Sequence, residues 1–151
     1  MEIVSNSSPL IVLSKIKRIE LLRQLFISVY IPEAVFQEVY GVRKERCPSW
    51  IQVRKVKDRM AIEALEAIVD KGEAEAIILT KEINTKHILI DDKKGFNLAR
   101  RMGFEPFRTT TLMGIAYKKE LLIDLKAELI NLREKGYWIT DYYIDEIVKR
   151  F

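Results

Sequence analysis

Short apolar runs alternate along this chain with longer stretches whose apolar residues recur at helical spacing. Glu2 to Ser5 reads as a buried strand, and Ser8-Pro9 opens a helix with a hydroxyl cap and a first-turn proline. Ile19, Leu22 and Phe26 share one face of a second helix, Ile19 to Phe26. Ile27 to Ile31 is β-like, and Pro32 opens a helix running to about Val42. Val42 to Ser49 is polar, holds Pro48 and reads as a loop; Trp50 to Val56 alternates as a short strand. Met60 to Asp70 turns Ile62, Leu65, Ile68 and Val69 inward, and Lys71-Gly72 is expected to stop it.

Glu73 to Ile83 is a helix apolar enough to be buried, and His87 to Ile90 is a fourth strand ending in Asp91-Asp92. Lys93 to Met102 is a helix stopped by Gly103, Phe104 to Phe107 a last strand, and Thr109 starts a helix to about Leu122. Two amphipathic helices, Leu125 to Lys135 and Asp141 to Phe151, are split by Gly136. Strands alternating with helices predict a parallel α/β sheet covered on both faces. With neither repeat nor linker, the 151 residues read as one domain.

Composition narrows the chemistry. The chain is 48% hydrophobic and 32% charged, a globular balance, and 26 basic against 22 acidic residues give +4. That excess permits nucleic-acid binding without demanding it. The single Cys47 excludes an internal disulfide framework, and one histidine, His87, is expected to be structural. Zinc chemistry is thereby disfavoured; any metal would be hard and oxygen-bound, such as Mg2+ or Mn2+. The N-terminus lacks the basic flank and apolar core of a signal peptide, and no run spans a membrane, so the cytoplasm is the expected compartment.

In an open parallel sheet, ligands bind beyond the carboxyl ends of the strands. The polar groups expected there are Asn6 to Ser8, Asp91 and Asp92, and Thr109, with the helix from Glu73 starting on the same rim. Two Asp in succession exceed what one helix cap requires. Glu75 has Ile78 and Leu79 at the next helical positions, where a carboxylate is costly unless paired or metal-bound. Glu73 is explained by the helix dipole, and Glu38 sits at the edge of the Val35/Val39 stripe.

Together these segments resemble the PIN domain, closest to a PIN-like group of nucleic-acid-binding proteins related to VapC-type toxins. The resemblance rests on Ile3 to Ile11, on Ile31 to Glu38, on Gly72 to Ile77, and on Leu89 to Lys93 with Thr109, covering roughly residues 1 to 122. It implies an α/β/α sandwich with a C-terminal helical extension from about residue 123. It also implies an Mg2+- or Mn2+-dependent endoribonuclease. By position the metal-binding acids would be Glu38, Glu75 and Asp91 or its neighbour Asp92, with Ser8 and Thr109 supporting them. Where the resembled motif has Asp, this chain has Asn6, which keeps an acceptor oxygen but loses a charge. Asn6 remains a candidate catalytic residue, and its loss of charge favours an alternative: a degenerate PIN-like module that binds nucleic acid or protein. A small antitoxin and a homodimer are the partners implied.

A nuclease needs positive charge near its acids, and Lys93, Lys94, Arg100, Arg101 and Arg108 follow the acid pair. Tyr137, Trp138, Tyr142 and Tyr143 could stack on bases, although helix packing or a dimer contact explains them as well. A phospho-acceptor receiver is disfavoured, because such domains place the acid pair after the first strand.

Overall fold

The computed structural model describes residues 1–42 and 45–151. Its strands are β1 (Glu2–Ser5), β2 (Ser28–Pro32), β3 (Ile51–Arg54), β4 (His87–Leu89) and β5 (Glu105–Phe107). They form one sheet ordered β3-β2-β1-β4-β5, parallel at every pairing. The helices are α1 (Ser7–Lys15), α2 (Glu20–Leu25), α3 (Glu33–Phe36), α4 (Arg59–Leu65), α5 (Lys71–Glu82), α6 (Lys93–Arg101), α7 (Thr109–Lys118), α8 (Leu125–Glu134) and α9 (Asp141–Arg150).

Alternation along the strands sorts the core into two layers. Ile3 and Leu89 join a buried cluster with α1, α2, α7, α8 and α9, while Val4, Ile88 and Ile90 join another with α4, α5 and α6. The sheet is therefore covered on both faces, an α/β/α sandwich. Ile3, Ile88, Leu89 and Ile90 are fully buried, each contributing about 1.5–3 kcal/mol relative to exposure. Among the described residues no helix is long and apolar enough to cross a membrane.

Three local expectations change. The helix from Pro32 is regular only to Phe36 and continues as a π-helical turn over Gln37–Gly41, the segment that carries Glu38. Such turns widen the backbone and recur at functional sites. Lys71-Gly72 does not stop the preceding helix: α4 ends at Leu65, and Asp70 caps α5 by accepting from Glu73 N at 2.8 Å. Ile68, expected inward, lies in the connecting turn and is 47% exposed. The loop expected over residues 42–49 includes 43 and 44, which lie outside the described residues. Gly136 does end α8: its φ of +105° is one that a side chain rarely tolerates, and it turns the chain back toward the sheet.

Candidate functional site

Strand order reverses between β1 and β4, so the crevice at a switch point lies beyond the ends of these two strands. Asn6 follows β1, and its backbone N–H donates to Leu89 O at 2.9 Å, tying the two strand ends together. Asn6 stands at the N-cap of α1, a position where Asn is strongly favoured for capping. Its side chain nevertheless makes no capping bond. It points instead toward α5. A methyl group built on Gly72 would lie 3.5 Å from Glu38 Oε1, 3.7 Å from Asp70 Oδ1 and 3.8 Å from Asn6 Oδ1. Three oxygens from three separate elements thus surround one small gap, kept open because Gly72 has no side chain. The adjacent Ser7 Oγ is buried and has no hydrogen-bond partner among the described residues.

Next in the chain, buried Glu73 lies between Asp70 and Asp92. Burial, and next the charge of these two neighbours, push its carboxyl up to about 8. Asp92 caps α6, its Oδ2 accepting from Gly95 N at 3.0 Å. Gly95 leaves room there: a Cβ would lie 3.0 Å from Glu73 Oε2 and 2.5 Å from Ile90 Cδ1, so the ends of these side chains would have to shift. Among the described residues, no salt bridge neutralises Glu38, Asp70, Glu73 or Asp92.

Two of the acids singled out from the sequence have other partners. Glu75 is buried, but Oε1 accepts from Ala34 N at 3.1 Å and Oε2 meets Arg59 Nη2 at 3.2 Å. It is the paired buried carboxylate, joining α5 to α3 and α4. Asp91 Oδ1 accepts from Thr109 N at 2.8 Å and from Tyr137 Oη at 2.7 Å, while Oδ2 accepts from Thr109 Oγ1 at 2.6 Å. Burial raises the Asp91 carboxyl, and these bonds, with the Arg108 charge, oppose the rise. Thr109 therefore supports Asp91, and Ser8 is exposed on the cleft that Glu73, Asp91 and Asp92 also line. Sequence reasoning missed Asp70, named Tyr137 only as a possible stacking ring and not as a partner of Asp91, and gave Glu73 little weight. The Asp-x-x-Glu spacing of Asp70 and Glu73, a helix-start pattern, was the signal available.

A parallel sheet covered on both faces matches the fold expected from the motifs, and comparison with known families agrees. A family model described as a PIN domain matches residues 2–151. The chain belongs to the PIN-domain family. Neither curated proteins nor solved structures yield a match. PIN domains are generally nucleases and typically use divalent metals.

The donors in this PIN domain fit such an ion in kind. Carboxylate and amide oxygens suit Mg2+ or Mn2+, and uncompensated acids gain most from a cation. Among the described residues no three acidic, histidine or cysteine side chains already stand as a ligand set; the oxygens crowd together without being arranged around one centre. Glu38 and Asp92 are exposed and can rotate inward, whereas Glu73 is buried between helices.

The basic residues of the PIN domain divide into two groups. Arg108 lies 4.1 Å over the Phe96 ring and beside Asp91, at the rim. Arg100 lies 5.0 Å over the same ring. Lys94, Arg100 and Arg101 line a groove with Ala67 and Ile68 that shares no residue with the acidic clefts. Lys93, on the first turn of α6, is exposed.

Proposed function

We propose that this PIN domain is an Mg2+- or Mn2+-dependent endoribonuclease, VapC-like in kind, acting at the β1/β4 switch point. The observation that carries the reading is the crowding of Glu38, Asp70, Glu73 and Asp92 around Gly72 and Gly95 without a basic partner among the described residues. Acids held this close are unfavourable while charged, buried Glu73 most of all, unless a cation compensates them. Glu38, Glu73 and Asp92 would hold the ion with Asp70 and the Asn6 amide beside them; Glu75 and Asp91 position α3, α5 and α7 around them. A bound ion supplies charge stabilisation at a phosphodiester and lowers the pKa of a water.

The chain's own groups do the rest. Arg108 and the exposed Lys15 and Lys135 beside the Glu73–Asp92 cleft attract the RNA backbone. Glu73, when deprotonated, can take a proton from water. Asn6 offers an acceptor of the same shape as Asp with one charge fewer, which weakens metal binding and slows cleavage. A small antitoxin, a homodimer and a cytoplasmic setting are the context that the resemblance to VapC-type toxins supports.

The test is cleavage of a mixed RNA pool with Mg2+ or Mn2+. Wild type is expected to cleave, Asn6→Asp faster, and Glu73→Gln or Asp92→Asn not at all. Absence of cleavage in both wild type and Asn6→Asp would overturn the reading. Asn6 also favours a second reading, a module that binds RNA without turnover. That reading is supported if wild type binds and does not cleave while Asn6→Asp cleaves.

A further inference from the structure

The loop after Gly136 brings Tyr137, Trp138 and Ile139 back to the sheet end, and it holds aromatic surface that the acidic site does not explain. Trp138 is 86% exposed and Tyr142, on the first turn of α9, is 74% exposed. Neither ring stacks on another aromatic ring among the described residues. Large aromatic faces left in water cost free energy and commonly mark a binding surface.

Their surroundings indicate what they bind. Trp138, Tyr142 and Tyr143 line a cleft of about 380 Å3 together with Arg108, Thr140 and Asp91. That volume falls within the ~300–1,000 Å3 range of small-molecule clefts, enough for a nucleobase. The cleft adjoins the one holding Glu73 and Asp92, since Asp91, Tyr137 and Trp138 line both. Its position is also held: Tyr137 Oη donates to Asp91 Oδ1 at 2.7 Å, and Thr140 Oγ1 accepts from Tyr143 N at 3.1 Å, capping α9. Aromatic faces, a guanidinium at the rim and the adjoining acids describe a surface for a single-stranded nucleic acid. Bases in a duplex are stacked on each other and cannot offer their faces to a side chain.

We infer that Trp138 and Tyr142 form a base-stacking subsite that holds unpaired bases of an RNA strand whose adjoining phosphate reaches the Glu73–Asp92 cleft. The inference rests on the nuclease reading for its placement and names the substrate class as single-stranded RNA.

The experiment is anisotropy of a fluorescein-labelled short oligouridylate with the full chain in EDTA, so that binding is read without cleavage. Trp138→Ala is expected to weaken binding on the order of tenfold, with Trp138→Tyr restoring most of it. A duplex of mixed sequence should bind wild type and Trp138→Ala alike. Equal oligouridylate affinity of wild type and Trp138→Ala would overturn the inference. So would a change of oligomeric state in Trp138→Ala, seen by analytical ultracentrifugation, with affinity per chain unchanged; the ring would then be a contact between copies. Cleavage with Mg2+ is scored separately. Binding that depends on Trp138, with no cleavage by wild type or Asn6→Asp, removes the nuclease reading and keeps the subsite, whereas cleavage and binding indifferent to Trp138 do the reverse.

Discussion

Tyr137, in the loop between α8 and α9, donates its hydroxyl to Asp91 at the end of β4 across 2.7 Å. This bond joins residues 46 positions apart and fixes the C-terminal helices to the strand end that also presents Asp92. With two bonds from Thr109, it leaves the Asp91 carboxylate three donors, and the phenol is pushed up in pKa by burial and by the Asp91 charge. Hydrogen bonds to a charged group contribute about 1.5–3 kcal/mol each. Tyr137→Phe is expected to lower unfolding free energy by about that amount in a denaturant titration. Asp91→Ala, which leaves Thr109 N, Thr109 Oγ1 and Tyr137 Oη unpaired, should cost more. A Tyr137→Phe protein as stable as wild type would show that the bond carries no weight.

Glu73 and Glu75, two residues apart on α5, separate into different roles. Glu75 is paired with Arg59 and Ala34 N, so Glu75→Ala or Arg59→Ala should destabilise the fold by about 1–3 kcal/mol, measured by thermal or chemical unfolding. Glu73 is crowded by acids and has no basic partner among the described residues, so Glu73→Gln should preserve or raise stability while removing cleavage. Should Glu73→Gln unfold and Glu75→Ala stay folded but inactive, the roles assigned to the two carboxylates would be exchanged.

What the sequence conveyed and what it withheld can be traced to particular residues. Ile3/Val4 and Ile88/Leu89 alternate between two buried layers, so strand period and two-sided burial are readable in the sequence. Glu73 and Glu75 were not separable that way. Gly72 to Thr80 of α5 are all buried, so an apolar flank marks every position alike and cannot tell which carboxylate has a partner. Arg59, the partner, comes from another helix, and apolar periodicity carries no record of such a contact. Gly72 misled because glycine serves both to stop a helix and to open space. Only the capping bond of Asp70 shows that here it lies inside a first turn. Tyr137 was unreadable as a partner of Asp91 for the same reason of distance along the chain.

The pH dependence of the metal-free protein follows from Glu73. Its pKa is raised from 4.5 to about 8, so the folded state holds a proton that the unfolded state has released. The contribution is fully favourable below 4.5 and is lost progressively as pH rises from there to about 8, on the order of a few kcal/mol. Melting temperature in EDTA should fall across that window and fall less in Glu73→Gln. Mg2+ or Mn2+ favours the ionised carboxylate and should flatten the profile, restoring stability most at the alkaline end. A flat profile in EDTA for wild type would mean that Glu73 is not crowded as described.

Gly72 offers the cleanest separation of folding from function. It lies in the first turn of α5 with ordinary backbone geometry, so alanine there gains up to about 1 kcal/mol of helix propensity. The nearest atoms the added methyl would meet are side-chain oxygens of Glu38, Asp70 and Asn6, at 3.5 to 3.8 Å, which is contact without clash. It would, however, fill the gap those oxygens surround and replace a polar space with an apolar group. Gly72→Ala is therefore expected to melt at the wild-type temperature or slightly above it in EDTA, to lose the stabilisation that Mn2+ gives wild type, and to lose cleavage with it. Equal Mn2+ stabilisation of Gly72→Ala and wild type would place the ion elsewhere, while a lowered melting temperature without metal would mean that the gap is needed for packing and not for an ion.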